Sequence, residues 1–156
     1  MNKCYYPFNI SFTDNQRNEL LSIAKKIKFE SIYNEGNFFS TDINQVNSNI
    51  PTWLYKMFNF SYRRIIFLFN DGNVTPHKDN GRTSVITFPL NQTDGELVWT
   101  NTNQRLKYNT NSFLINVEKT HHVEVPKTVD RYFLQLPLNN SWNYNVEYFY
   151  RKKLIL

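Results

Sequence analysis

Residues 112–138 read SFLINVEKTHHVEVPKTVDRYFLQLPL. Three runs of β-branched, aromatic and aliphatic residues, at 112–117, 120–125 and 131–138, are separated by short polar turns, which is the texture of consecutive β-strands. Strand alternation assigns faces within the middle run. His121, Val123 and Val125 share one face, and His122 and Glu124 share the other. The face that carries two valines reads as the interior.

The same texture extends outward. Runs at 64–70, 83–90 and 96–100 precede this stretch, and a run at 146–150 follows it. Asn70-Asp71-Gly72-Asn73, the segment from Asn91 to Gly95, and Asn109-Thr110-Asn111 supply turn chemistry between the runs. Before residue 60 the pattern changes. Residues 14–28 read as a helix, with Asp14 as its cap and Leu20, Leu21, Ile23, Ala24 and Ile27 on one broad face. Residues 50–58 read as a shorter helix with Pro51 in its first turn, and the Asn-, Ser- and Gly-rich stretch between the two helices reads as loop. The expected architecture is one domain spanning 1–156, with a helical support region at 1–60 and an all-β core at 61–150. The core is expected to be a sandwich or jelly roll, with the helices packed on one sheet.

Composition agrees with a packed domain. The 156 residues include 13 Phe and 10 Tyr, enough for a large core, and only 4 Gly and 6 Pro, too few for a low-complexity chain. No apolar run approaches a membrane span, and the first residues lack the apolar core and cleavage site of a signal peptide. The single cysteine, Cys4, forms no intramolecular disulfide, so a reducing, cytoplasmic setting is expected. The net charge of +5 is scattered in short Lys and Arg pairs. It reads as a solvated surface, with a nucleic-acid or acidic-partner surface as the alternative.

Against this background a few residues carry chemistry. His77 and Asp79 are separated by one residue, so on a strand they point the same way and can occupy adjacent positions on one metal ion. Taken alone, the hydrophilic segment from Pro76 to Gly81 reads as an exposed turn. A third ligand has two candidates, His121 and His122. Alternation selects His121 and leaves His122 on the surface or hydrogen-bonded to a ligand. Two histidines and one carboxylate are a ligand set for Fe(II), and a catalytic zinc site accepts the same set. Arg131 begins the run after the turn at 126–130; if Val125 and Arg131 flank a hairpin, Arg131 lies near His121. An arginine directed into an aromatic interior requires an anion, and a bound dicarboxylate would supply one in bidentate fashion. The alternative is a surface arginine paired with Asp130. The arginine, together with the open half of an octahedral iron site, favours iron over zinc.

These segments resemble the Fe(II)/2-oxoglutarate-dependent oxygenases over roughly residues 62–138. Residues 69–80, FNDGNVTPHKDN, are similar to the family's strand–turn–strand in which a turn glycine precedes His-x-Asp. Residues 83–91, TSVITFPLN, and 94–99, DGELVW, resemble the following strands of the prolyl-hydroxylase-like branch, and 112–136 resembles its distal half. The resemblance implies a double-stranded β-helix, a cupin-like jelly roll. It implies iron held by His77, Asp79 and His121, with no catalytic side chain beyond the ligands, and the far carboxylate of the cosubstrate 2-oxoglutarate held by Arg131. It further implies dioxygen as oxidant, ascorbate as an auxiliary reductant, and a pocket to which Trp99, Phe88 and Tyr132 contribute. The implied reaction hydroxylates a C–H bond of a peptide, a protein side chain or a free amino acid. Prolyl hydroxylases of this branch use Lys where Arg131 stands, whereas aspartyl/asparaginyl-hydroxylase-like enzymes and free amino-acid hydroxylases use Arg. Nucleic-acid demethylases of the superfamily carry a second Arg about six positions on, where this chain has Pro137. A nucleic-acid-modifying oxygenase and a non-catalytic cupin-like metal- or ligand-binding module are the alternatives.

Overall fold

A computed structural model describes residues 3–29, 33–35, 38–126 and 129–156. The chain runs through β1 (Tyr5–Pro7), α1 (Asp14–Lys26), β2 (Tyr33–Glu35), β3 (Phe38–Asp42), a 3-10 turn (Ile43–Gln45), α2 (Thr52–Lys56), β4 (Ile66–Asn70) and β5 (Val74–His77). It continues through β6 (Ser84–Pro89), β7 (Glu96–Trp99), β8 (Gln104–Lys107), β9 (Phe113–Asn116), β10 (His121–Glu124), β11 (Arg131–Leu138) and α3 (Trp142–Arg151). Seven strands in the order β1-β9-β6-β11-β4-β3-β2 form the larger sheet, and four in the order β5-β10-β7-β8 form the smaller. Every pairing is antiparallel. The two sheets face each other as a double-stranded β-helix.

β11 shows how the sequence positions the site. It lies in the middle of the larger sheet, paired with β6 on one side and β4 on the other. Leu134, Leu136 and Leu138 project to one side, where they join Phe67, Ile86 and Phe88 under Leu20 and Ala24 of α1, Leu54 of α2 and Phe149 of α3. Each such wholly buried aliphatic side chain is worth roughly 1.5–3 kcal/mol of burial. Phe133, on the opposite face of β11, joins Leu68, Val85 and Ile115 against Leu97, Trp99 and Leu106 of the smaller sheet. The helices therefore close one face of the larger sheet, and the smaller sheet closes the other.

Several expectations need correction. The run at 146–150 is not a strand but part of α3. Its Val, Tyr and Phe content suits a strand, but Trp142, Asn145 and Phe149 are the buried residues, at helical spacing. A buried Asn hides that period. It is satisfied there by donating to the Ser84 hydroxyl at 2.6 Å and the Asn140 carbonyl at 3.0 Å. The first 60 residues are not only a helical support, and the stretch between α1 and α2 is not only loop. β1 forms one edge of the larger sheet, and β3 pairs with β4 along its whole length. The helices are shorter than expected, at Asp14–Lys26 and Thr52–Lys56. Thr13, rather than Asp14, caps α1. Its hydroxyl accepts from the Gln16 N–H at 3.2 Å, and the Gln16 side chain accepts from the Thr13 N–H at 2.9 Å, which is a capping box. Among the described residues no helix is long and apolar enough to cross a membrane.

Candidate metal centre

The smaller sheet brings the two histidines together. His77 ends β5, His121 begins β10, and the register pairs them directly. Their ring centroids are 4.5 Å apart. Asp79 lies just beyond the end of β5, not on the strand itself, and its N–H donates to the Val117 carbonyl at 3.0 Å. That bond turns the chain so that the carboxylate faces the rings. Asp79 Oδ1 is 3.3 Å from His77 Nε2 and 3.3 Å from His121 Nε2, and the three donor atoms lie within 4.8 Å of one another.

The outer atoms of each group are fixed. His77 Nδ1 donates to the Thr75 carbonyl at 2.8 Å, and His121 Nδ1 donates to the Lys119 carbonyl at 2.7 Å. A carbonyl only accepts, so Nδ1 of each ring carries a proton, and Nε2 is the ring atom turned toward Asp79. Asp79 Oδ2 accepts from Arg82 Nε at 2.7 Å and pairs with Arg82 Nη2 at 2.7 Å, which leaves Oδ1 for the interior. Burial raises the Asp79 pKa, but the His121 and His77 rings and the Arg82 charge outweigh it and hold the carboxyl well below the usual range. Two Nε2 atoms and one carboxylate oxygen thus converge on one point. Two imidazoles with one carboxylate are a donor set that suits a divalent transition metal. The fit is therefore good.

His122 goes the other way. Its Nδ1 is 3.0 Å from the Thr100 hydroxyl and its Nε2 is 3.0 Å from Glu124. Glu124 in turn accepts from Arg105 at 2.7 Å, and Arg105 also donates to Glu96 at 3.0 Å. This network lies on the solvent face of the smaller sheet.

Arg131 reaches the same interior from the larger sheet, where it stands opposite Asn70 of β4. The expected hairpin between Val125 and Arg131 is absent: β10 and β11 belong to different sheets, so the connection crosses the sandwich. Residues 127–128 of that expected turn lie outside the described residues. The Arg131 side chain is 2% exposed. Its Nε donates to the Thr93 hydroxyl at 3.0 Å and its Nη1 to Asn70 Oδ1 at 3.2 Å. It lies over the Phe133 and Tyr108 rings, at 5.0 and 5.9 Å from their centroids. Gly95 packs against it so closely that a Cβ there would stand 2.7 Å from the guanidinium carbon. Among the described residues no carboxylate pairs with Arg131. Burial lowers its pKa, while the neighbouring Tyr108 acts in the opposite sense.

The triad and Arg131 line one cavity between the sheets, together with Tyr108, Phe133 and Gln135. Tyr108 is electrostatically coupled to both ends. Its hydroxyl pKa is raised, chiefly by burial, with Arg131 lowering it and Asp79 raising it. Gln135 donates to the Thr87 hydroxyl at 3.3 Å, while its buried Oε1 has no hydrogen-bond partner among the described residues.

No family model matches the sequence, and no curated protein matches it. Solved structures do match. The viral collagen prolyl hydroxylase of Paramecium bursaria Chlorella virus 1, in its 2-oxoglutarate complex, aligns with a TM-score of 0.58 at 14% identity, over 87% of this chain and 96% of that one. A Pseudomonas putida prolyl-4-hydroxylase aligns with a TM-score of 0.57 at 10% identity, over 88% of this chain and 93% of that one. The fold is that of the prolyl hydroxylases.

The expected pocket aromatics are elsewhere. Phe88 and Tyr132 lie on the helix-facing side of the larger sheet. Trp99 is in the core between the sheets, where it stacks on Tyr5 and donates to the Asn116 carbonyl at 2.8 Å, but it does not line the cavity. The same alternation that selected His121 would have excluded Tyr132, since Arg131 inward places Tyr132 outward. It would also have found Phe133 and Gln135. Arg82, Tyr108, Thr93 and Gly95 carried no spacing signal that singled them out.

Proposed function

We infer that this chain is an Fe(II)- and 2-oxoglutarate-dependent dioxygenase that hydroxylates a C–H bond of a peptide, a protein side chain or a free amino acid. One observation carries the reading. A converging His-Asp-His set and a buried arginine that pairs with no carboxylate among the described residues line the same cavity. His77 Nε2, Asp79 Oδ1 and His121 Nε2 would hold the iron, and Arg131 would hold the far carboxylate of 2-oxoglutarate. Bound there, Fe(II) supplies the oxidative chemistry by which substrate R–H, 2-oxoglutarate and dioxygen become R–OH, succinate and carbon dioxide.

The protein's own contribution is positioning. Thr75 and Lys119 fix the tautomer and tilt of the imidazoles, and Arg82 turns Asp79 to offer one oxygen. Thr93, Asn70 and Gly95 hold the Arg131 guanidinium in one place. Leu68, Val74, Leu97 and Ile115 make the walls apolar and keep bulk water out. The 2-oxoglutarate complex of the viral relative supports the cosubstrate, and the prolyl hydroxylase activity in both relatives' names supports a peptide substrate. Ascorbate as auxiliary reductant and a cytoplasmic setting belong to the same reading. The test is succinate formation from 2-oxoglutarate with Fe(II) and dioxygen, with or without an added substrate. Failure to bind 2-oxoglutarate in the presence of Fe(II) or Mn(II) would leave only a cupin-like binding module.

A further inference from the structure

A second hollow adjoins the cavity. It measures ≈ 470 Å³ and lies between β3 with its 3-10 turn and the loop that carries Asp79 and Arg82. Asp79 and Arg82 line both spaces, so the groove opens directly beside a residue of the triad. Arg63 supports that loop by donating to the Gly81 carbonyl at 2.7 Å.

The groove's charges are unequal. Three arginines, Arg63, Arg64 and Arg82, face two carboxylates, Asp42 and Asp79. Arg82 and Asp79 satisfy each other. Asp42 is turned to its own backbone, accepting from the Asn44 N–H at 2.8 Å. Arg64 is exposed, and among the described residues it makes no ion pair or hydrogen bond. A divalent ion on Asp79 would add further positive charge at the inner end. The surplus among the lining residues is one positive charge, and Arg64 presents it exposed and unpaired among the described residues.

The neutral lining separates two kinds of anion. Ser40, Asn44 and Gln45 offer hydrogen bonds of the kind an extended polypeptide uses, and no aromatic side chain is among the lining residues. Single-stranded nucleic acids and flipped bases are gripped by stacking on aromatics, which this groove does not provide.

We propose that this groove is the substrate cleft and that it takes an acidic polypeptide segment, whose carboxylates Arg63 and Arg64 engage while the residue to be hydroxylated enters beside Asp79. The proposal rests on the oxygenase reading above. Its test is the binding of short peptides, matched in length and rich in Glu, Gln or Lys, to the Mn(II)-loaded protein at low and physiological ionic strength. The Glu peptide should bind about tenfold more tightly than the Gln peptide, with the difference shrinking as salt rises, and the Lys peptide should bind least. Arg64→Glu should abolish that preference, and Arg151→Glu, the same charge change on α3, should keep it. Equal binding of the three peptides, a preference for Lys, or a preference that survives Arg64→Glu would overturn the proposal. Tighter binding of a single-stranded oligonucleotide would replace the acidic segment by nucleic acid. Mn(II) affinity, read by electron paramagnetic resonance, scores the metal site separately. Charge discrimination without Mn(II) binding removes the triad and keeps the groove, and Mn(II) binding without discrimination does the reverse.

Discussion

The two faces of the smaller sheet carry the same kinds of residue in opposite circumstances. On the outside, His122, Glu124, Arg105 and Glu96 satisfy one another in a chain of contacts at 2.7–3.0 Å. On the inside, the ligand atoms of His77, Asp79 and His121 converge within 4.8 Å, and across the cavity Arg131 is buried with no carboxylate paired to it among the described residues. Water screens the outer set, which contributes little. The inner set is buried, and its charged and polar groups converge on one cavity. Residue type therefore does not mark the site. What marks it is burial combined with convergence on one cavity.

Substitutions can break this contrast, and the largest effects belong inside. Asp79→Ala or His121→Ala should abolish measurable turnover and weaken Mn(II) binding by at least about a hundredfold, while His122→Ala should change both by less than about twofold. Metal titration of the three variants side by side checks the pair of histidines, and the reverse order would show the faces to be exchanged. Arg131→Ala should raise the 2-oxoglutarate requirement by about ten- to a hundredfold, the loss of a charge-assisted contact worth about 1.5–3 kcal/mol, with Mn(II) affinity intact. Steady-state kinetics against cosubstrate concentration reads this directly.

Supporting residues come next. Arg82→Ala should weaken metal binding about tenfold, because Asp79 loses the partner that orients it. Gly95→Ala should imitate a mild form of Arg131→Ala, since the new methyl would meet the guanidinium at 2.7 Å. A 2-oxoglutarate affinity unchanged in Gly95→Ala would show that the guanidinium has room to move. Smallest of all, Arg105→Ala on the outer face should leave the denaturation midpoint and the metal affinity where they were.

Much of this contrast was legible in the residues, and the failures have physical reasons. The bounds of β11 and the division between His121 and His122 follow from alternation, because a strand buried on one face repeats every two residues. β8 was missed because a peripheral strand paired only with β7 needs a single inward residue, Leu106, and its other positions read as polar loop. β3 was hidden between Asn- and Gly-rich neighbours, although its own residues, Phe38–Asp42, suit a strand. α3 was misread because Asn145, a polar residue in a buried position, interrupts the apolar period. At the site, the ligand spacing was visible, but the contacts that orient the ligands were not. Thr75 and Lys119 act through backbone carbonyls, which any residue possesses. Arg131 and His121 line one cavity from two different sheets, an arrangement set by topology rather than by the turn between them.

We propose that the cavity between the sheets binds a divalent cation and a dicarboxylate together. Calorimetric titration of 2-oxoglutarate into the wild-type protein with and without Mn(II) tests it most directly. Binding that requires the metal and is lost in Arg131→Ala is the predicted result; a wild-type protein that binds Mn(II) but shows no 2-oxoglutarate binding, or binds it equally well without Arg131, would contradict it.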